Sequence, residues 1–127
     1  MRKLPLASLL VPMLILACSD DNPGAPPDTT PPSVQWIQPA NGDTLVIPRS
    51  ITLQARATDN VAVSEVEFLA DGGSLGLGSA VGDLYNYTWQ TSPEMAGQHL
   101  IKARATDTSG NSAEESISLT LMEPPPR

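Results

Sequence analysis

Apolar and polar residues alternate over most of the chain, from Ser33 to Met122, and this period of two constrains the fold more than any other feature. Successive side chains of a β-strand point to opposite faces, so the alternation predicts strands with one buried face. Turn residues interrupt the pattern every eight to fifteen positions, which is the spacing of a β-sandwich. We therefore predict an all-β, antiparallel sandwich of seven to eight strands over residues 33–122.

One short segment occurs twice in the predicted sandwich. Residues 54–59 and 102–107 read Q-A-R-A-T-D and K-A-R-A-T-D, and they differ only at the first position. We expect these two strands to lie side by side, or nearly so, at the centre of the sandwich. Their alternating alanines would let the two sheets approach closely, while Trp36, Phe68 and Trp89 fill the core elsewhere.

The first seventeen residues have the pattern of an export signal. Arg2 and Lys3 provide a positive start, and eleven of the fourteen residues from Leu4 to Ala17 are Ala, Val, Ile, Leu or Met. Fourteen helical residues would span about 21 Å, which is less than the roughly 30 Å of a hydrocarbon core. We predict that residues 1–17 are a signal helix that is removed after export.

The leader is followed directly by the chain's single cysteine. The segment Ile15-Leu16-Ala17-Cys18 resembles the lipobox of bacterial lipoproteins, in which the cysteine is acylated and becomes the mature N-terminus. The resemblance implies that Cys18 carries lipid and anchors an exported protein to the cell envelope. We expect this to be the outer membrane, with the domain in the periplasm or at the cell surface. The alternative is an ordinary signal peptide with a chance cysteine beside the cleavage site.

A polar segment separates Cys18 from the predicted sandwich. Residues 18–32 contain five prolines, three aspartates and no large apolar residue, so we predict a disordered tether with a reach of about 45 Å. A Pro-rich tail at 123–127 ends the chain. Removal of the leader leaves 5 basic and 14 acidic residues and a net charge of −9, which excludes nucleic acid as a partner.

Eight short motifs occur in a fixed order along the predicted sandwich. They are Thr30-Pro-Pro-Ser-Val34, Pro39-Ala-Asn-Gly42, Ala55-Arg-Ala-Thr-Asp-Asn60, Val66-Glu-Phe68, Asp71-Gly72, Tyr87-Thr-Trp89, Gly97-Gln-His99, and Ala103-Arg-Ala-Thr-Asp107 with Gly110-Asn111. Together they resemble the bacterial immunoglobulin-like domains, and the resemblance covers residues 29–122. It implies an immunoglobulin-like or fibronectin-III-like sandwich that acts as a spacer, adhesion unit or accessory domain of a secreted or surface protein, often beside carbohydrate-active enzymes.

The sequence favours a protein without catalytic activity. Glu65 and Glu67 lie on one face of a strand, about 6.6 Å apart, which is near the carboxylate spacing of inverting glycosidases. However, outward carboxylates on one strand are normally solvated, and a general acid needs a pocket that raises its pKa. We expect a structural hydrogen-bonding role for His99, the chain's only histidine.

Calcium is the sharper binding hypothesis. Asp59 and Asn60 follow one of the two similar strands, Asp107 to Asn111 follow the other, and Asp28 lies in the tether that leads into the first strand. Oxygen ligands from several loops are typical of Ca²⁺ sites. Aspartate and asparagine also close turns through their own backbone, and no dense Asp-x-Asp run is present. We therefore predict turn closure without a metal, and keep calcium as the alternative.

These observations predict a lipid-anchored cell-envelope module with a structural, spacer or adhesive role and no cofactor. The alternative is an accessory domain that binds carbohydrate or calcium and serves a partner protein. A protein or glycan at the cell surface would then be the partner. Sugar binding would need an exposed aromatic platform, for which Tyr85 alone is available once the other rings are assigned to the core.

Overall fold

The computed structural model describes residues 26–126, and these residues form nine strands in two sheets. The leader at 1–17 and the first part of the tether, with Cys18, lie outside the described residues. One short 3-10 turn, Pro93–Met95, lies between the seventh and eighth strands. The strands are β1 Ser33–Gln38, β2 Thr44–Val46, β3 Ser50–Thr58, β4 Val63–Ala70, β5 Gly73–Leu77, β6 Ser79–Val81, β7 Leu84–Gln90, β8 Gly97–Asp107 and β9 Ser112–Met122.

The sheets have five and four strands and pack face to face, which confirms the predicted sandwich. The larger sheet has the order β2-β9-β8-β4-β5, and the smaller has the order β1-β3-β7-β6. Neighbouring strands are antiparallel except β2 and β9, where Leu45 lies opposite Leu121 in a parallel pair. β2 does not continue β1, because the turn at residues 39–43 carries the chain from the smaller sheet to the larger one.

The Gly-rich segment 75–81 contains parts of two strands. β5 ends at Leu77 in the larger sheet, and β6 begins at Ser79 in the smaller one. Gly78 lies at the crossing, where a β-carbon would approach Phe68 Cε2 to 2.8 Å. Only glycine fits at this position, and the strand count rises to nine because the chain changes sheets there.

The two similar segments lie in opposite sheets, so the expectation that they run side by side is wrong. β3 and β8 are each interior strands of their own sheet. All four of their alanines are buried in the core: Ala55, Ala57, Ala103 and Ala105. The period of two identifies the buried face of a strand but not the sheet to which it belongs, which is why the pattern could not separate them.

All five aromatic side chains lie within the described residues, and each is in the core or packed against it. Phe68 is fully buried, and its ring centroid lies 5.7 Å from that of Trp36. Tyr85, which the sequence left available for a sugar-binding platform, is partly buried and packs against the core. Within residues 26–126, no helix is long and apolar enough to cross a membrane.

Candidate cation site at one end of the sandwich

Three carboxylates from separate parts of the chain converge at one end of the sandwich. Asp59 follows the last residue of β3, Asp107 is the last residue of β8, and Asp28 lies five residues before β1. Each of the three contributes a carboxylate oxygen to a group whose members lie within 4.8 Å of one another. The fold itself creates this group, because β3 and β8 end at the same end of the sandwich and Ser33 starts β1 beside Thr58.

Asp107 is the buried member of the group, with 2% of its surface exposed. Its Oδ1 accepts hydrogen bonds from the backbone N–H groups of Ser109 (2.9 Å) and Asn111 (2.8 Å). Its Oδ2 accepts a third from Asn111 Nδ2 at 2.9 Å. Burial opposes ionisation, but the hydrogen bonds from Asn111 and Ser109, together with one between the Asp28 and Asp107 side chains, outweigh it and hold the pKa of Asp107 below its ordinary value. The carboxylate is therefore charged at neutral pH.

Asp59 and Asp28 each use one carboxylate oxygen to hold the local backbone. Asp59 Oδ2 accepts from the N–H groups of Val61 (2.9 Å) and Ala62 (3.2 Å). Asp28 Oδ1 accepts from the N–H of Thr30 (3.0 Å) and from Asn60 Nδ2 (3.1 Å). These bonds are the turn closures that the sequence predicts for such residues. Each carboxylate keeps its second oxygen free for another partner.

Those second oxygens are buried and have no hydrogen-bond partner. Asp28 Oδ2 and Asp59 Oδ1 each expose less than 1 Å² and accept no hydrogen bond. An unpaired buried acceptor is costly, and a charged one costs more, so native proteins rarely leave one without a partner. Here both unpaired oxygens lie in the same acidic group as Asp107. Turn closure explains the position of one oxygen of each carboxylate. It does not explain why the other oxygen is buried without a partner.

A hard cation fits this donor set. Ca²⁺ binds carboxylate oxygens at about 2.3–2.6 Å, so two oxygens on one ion can lie up to about 5 Å apart. The 4.8 Å limit within the group satisfies that condition. The asparagines position the carboxylates through their amide nitrogens, since Asn60 Nδ2 donates to Asp28 and Asn111 Nδ2 donates to Asp107 and to the Asp28 carbonyl (3.0 Å). Of the five residues proposed from the sequence, three are thus candidate ligands and two position them.

The other ionisable candidates are engaged in structural contacts. Glu65 is exposed, and Glu67 forms an ion pair with Arg104 at 3.3 Å. Arg104 also pairs with Glu114 at 2.7 Å, so this outer face is a small charge network rather than a catalytic pair.

His99 lies at the opposite end of the sandwich from the acidic group. Its Nδ1 is 2.5 Å from Asp71 Oδ2, and its Nε2 is 2.6 Å from the Met95 carbonyl oxygen. Burial lowers the pKa of His99, but the hydrogen bonds to Asp71 and Met95 outweigh it and raise the pKa overall. Hydrogen bonds from His99 and the Leu100 N–H lower the pKa of Asp71. The sequence offered no signal for this pairing, because Asp71 reads as a turn residue and is 28 positions away.

Residues 32–103 match the family described as the bacterial Ig domain. This match covers more than half of the chain, so the chain belongs to the bacterial Ig domain family. A search of curated protein sequences found no match.

Solved structures show the same fold. The fibronectin(III)-like modules of Clostridium thermocellum CbhA superpose with a TM-score of 0.63 at 22% identity, covering 73% of this chain and 100% of the module chain. An endo-β-1,4-mannanase from Thermotoga petrophila also gives 0.63, at 13% identity over 87% of this chain and 26% of the enzyme chain. The titin M3 domain gives 0.52, at 22% identity over 72% of this chain and 96% of that domain. At these identities the likeness concerns the fold.

Proposed function

We propose that this bacterial Ig domain protein is an exported, lipid-anchored module of the cell envelope with a structural, spacer or adhesive role and no catalytic activity. The leader, the lipobox-like segment and Cys18 support the anchoring. Two open grooves, of about 460 and 470 Å³, flank β1, and their acidic residues are Asp43 in one groove and Glu115 in the other. In residues 26–126 neither groove brings two carboxylates together, which supports a structural, spacer or adhesive role rather than catalysis.

The anchoring is tested by Cys18→Ser in bacteria that express the full chain. A lipoprotein should incorporate labelled palmitate and partition into detergent, and the variant should lose the label. Ser19→Ala is the matched control, since it changes the neighbouring residue and leaves the thiol. Equal labelling of both variants would contradict lipidation at Cys18.

Calcium binding by the acidic group is the second candidate function. The two unpartnered, buried oxygens of Asp28 and Asp59 beside Asp107 favour it. Turn closure does not account for these two oxygens, and a cation would bind both of them. No comparable observation favours carbohydrate, because each of the five aromatic rings lies in the core or packs against it.

Calorimetric titration tests this second function. We expect one Ca²⁺ per chain with a dissociation constant of about 10⁻⁴ to 10⁻³ M, which is the range of extracellular calcium modules. Asp59→Asn should remove the heat of binding. Glu94→Gln, which removes one exposed carboxylate from the 3-10 turn at the other end, should keep it. Loss of binding in both variants, or in neither, would exclude the acidic group as the site.

A further inference from the structure

We infer that one end of the five-stranded sheet binds a second copy of this chain, and that the two copies run antiparallel in the contact. This inference names a partner for the adhesive role proposed above, and it rests on that proposed function for the position of the membrane. It does not involve the acidic group.

The contact surface lies on the outer face of the five-stranded sheet, at the end away from the acidic group. Leu121 is buried, so the residues of β9 that alternate with it point out of the sandwich. Met122 lies beside Val46 of β2. On the other side of β9, Leu100 of β8 lies opposite Ser118. We call the outward residues of these three strand ends the neutral patch: Thr44, Val46, Gln98, Leu100, Ser118, Thr120 and Met122.

The neutral patch combines exposed apolar side chains with an absence of charge. Val46, Leu100 and Met122 each expose 44–48% of their surface. The other members are threonine, serine and glutamine. One exposed apolar side chain is ordinary, but three on one sheet face, with no charged residue among them, are typical of a contact surface.

The same strands become charged toward the acidic end. There the outer face carries Lys102 and Arg104 of β8 and Glu114 of β9. Glu114 pairs with Lys102 at 3.3 Å and with Arg104 at 2.7 Å. The outer face of this sheet is therefore divided into a charged half and a neutral half.

Charge favours a second copy as the occupant of the neutral half. Without its leader the chain has 5 basic and 14 acidic residues, so two copies repel each other through most of their surface. Contact through the neutral patch sets no acid of one copy opposite an acid within the patch. Asp71, which accepts from the Leu100 N–H, and Glu123, which follows Met122, stay at the rim in water. A basic partner would instead prefer the acidic surfaces that this patch lacks.

The neutral patch is also complementary to itself. Its apolar ends, Met122 and Leu100, lie four residue steps apart along the strands, or about 14 Å, with Thr120 and Gln98 between them. A two-fold axis that crosses the strands at Thr120 and Gln98 brings Met122 of each copy over Leu100 of the other. Each apolar end then meets an apolar end, and the polar rows meet at the axis.

This arrangement sends the two N-termini in opposite directions. β1 begins at the acidic end, where Ser33 lies beside Thr58, whereas β9 ends at Met122 at the other end. Overlap of the neutral patches leaves the two acidic groups at the far ends of the dimer, which keeps like charges apart. The tethers leave from those far ends, so the lipid anchors of the two copies would enter facing membranes. The contact would thus join two surfaces, as adhesion requires.

A single contact of this size should be weak. Three strands and five residue positions cover about 14 by 17 Å of sheet, which is less than the roughly 800 Å² that each partner buries in a stable complex. We expect a dissociation constant of about 10⁻⁴ to 10⁻³ M in solution. Many copies anchored on facing membranes would act together, because anchoring raises their effective concentration.

Sedimentation equilibrium tests the self-association. The sample is residues 18–127 with Cys18→Ser, which contains all nine strands and cannot carry lipid. At about 1 mM we expect a monomer–dimer equilibrium. Leu100→Asp should weaken the dimer by about tenfold or more, because a two-fold contact buries the new charge twice.

Leu77→Asp is the matched control. Leu77 is exposed and lies beside Glu67 on the same sheet, outside the neutral patch, so this variant should dimerise like its parent. Thermal unfolding checks that both variants fold. A monomer at about 1 mM, or equal dimerisation of the two variants, would mean that the neutral patch does not bind a second copy.

Crosslinking tests the antiparallel arrangement. Leu100→Cys and Met122→Cys are prepared as separate variants in the Cys18→Ser background, one of them with an affinity tag, and mixed in equal amounts. A bismaleimide that spans about 10 Å, the separation of packed sheets, should join the two variants to each other more than either to itself. Preferential crosslinking of Met122→Cys to itself would overturn the antiparallel arrangement.

Palmitate labelling of Cys18 distinguishes this inference from the proposed anchoring. If the dimer forms and Cys18 is not labelled, the contact stands and its link to facing membranes is wrong. If Cys18 is labelled and no dimer forms, the anchor stands and the self-contact is wrong.

Discussion

The two ends of the sandwich use aspartate in opposite ways. At the end that carries Asp71, the protein satisfies both carboxylate oxygens: Oδ1 accepts from the Leu100 N–H at 2.9 Å, and Oδ2 faces His99. At the other end, Asp28 and Asp59 each keep a buried oxygen without a partner. A carboxylate that the chain neutralises itself needs no ligand, whereas the proposed cation would supply the missing partner at the other end.

The largest expected effect is the response of stability to calcium. A ligand that binds only the folded state at about 10 mM stabilises it by about 1.4–2.7 kcal/mol for dissociation constants of about 10⁻³ to 10⁻⁴ M. For a domain of this size we expect the melting temperature to rise by about 6 °C or more. Thermal unfolding of the wild type and of Asp107→Asn, which should show no rise, checks this prediction.

The same calcium response separates the two ends. Asp71→Asn should keep the full rise in melting temperature, since Asp71 lies outside the acidic group. A response that disappears in Asp71→Asn, or survives in Asp107→Asn, would show that the ends do not differ as described.

The second prediction concerns Asp107 without calcium. Asp107→Ala removes the acceptor of three hydrogen bonds at a buried position, and we expect a loss of about 1–2 kcal/mol in chelator. Asp71→Ala should cost less, because the Asp71 side chain is 51% exposed and water can replace its partners. Urea unfolding of both variants measures the difference. Equal losses of unfolding free energy in the two variants would mean that the burial of Asp107 does not make it more important for stability than Asp71.

The third prediction is a pH dependence confined to the Asp71 end. The pKa of His99 is raised above 6.5, so its stabilising contribution is complete below about pH 6.5 and is lost as the pH rises through the folded-state pKa. The pKa of Asp71 is lowered below 3.8, so its contribution is present above about pH 4 and is lost on acidification. The pair therefore contributes most between about pH 4 and 6.5.

Urea unfolding from pH 5 to 9 measures this dependence, with Asp71→Asn as the comparison. We expect a loss below about 1 kcal/mol at the alkaline end, because the Asp71 side chain is largely solvated. Since the chain has a single histidine, His99→Gln should remove most of the decline. A decline that persists unchanged in His99→Gln would assign it to another group.

The smallest expected effect is a change in stability that has opposite signs at the two ends. In chelator, Asp28→Asn should stabilise the protein by about 0.5 kcal/mol, because the new amide can donate to the neighbouring carboxylates and one negative charge is removed. Asp71→Asn should destabilise it by a similar amount through the lost charge toward His99, since asparagine tolerates the φ of 51° at this position as well as aspartate does. Changes of the same sign in both variants would contradict the comparison.

The sequence predicted the strands well because their signal is local. Ile51, Leu53, Ala55 and Ala57 alternate with polar residues, and all four are buried in β3. The hairpin at Asp71 and Gly72 follows equally local chemistry, since both residues adopt positive φ in the structure. Family membership, likewise inferred from short ordered motifs, is confirmed by the match over residues 32–103.

The sheet assignments could not be predicted in the same way. The two similar segments 54–59 and 102–107 belong to strands in opposite sheets, and the chain passes from one sheet to the other at Gly78. Both facts depend on contacts between residues far apart in the sequence, such as Phe68 against Gly78 in the folded core. Alternation carries no information about such contacts.

The candidate site was half predictable. The positions of Asp59 and Asp107 after two similar strands indicated that they lie at one end, and Asp28 could be placed near them. The decisive feature is an unpartnered oxygen on Asp28 and on Asp59. It depends on which carboxylate oxygen accepts the hydrogen bonds of the backbone N–H groups. The preference of aspartate for turns predicts that one carboxylate oxygen accepts hydrogen bonds from the loop backbone. It does not predict the partner of the second oxygen.

Long-wavelength anomalous diffraction from crystals of the protein grown in about 10 mM CaCl₂ tests the central claim most directly. We expect one anomalous peak between the carboxylates of Asp28, Asp59 and Asp107, with oxygen distances of about 2.3–2.6 Å, and no peak beside Asp71. A map without a peak in the acidic group, in which Asp28 Oδ2 and Asp59 Oδ1 meet water or each other, would contradict the account.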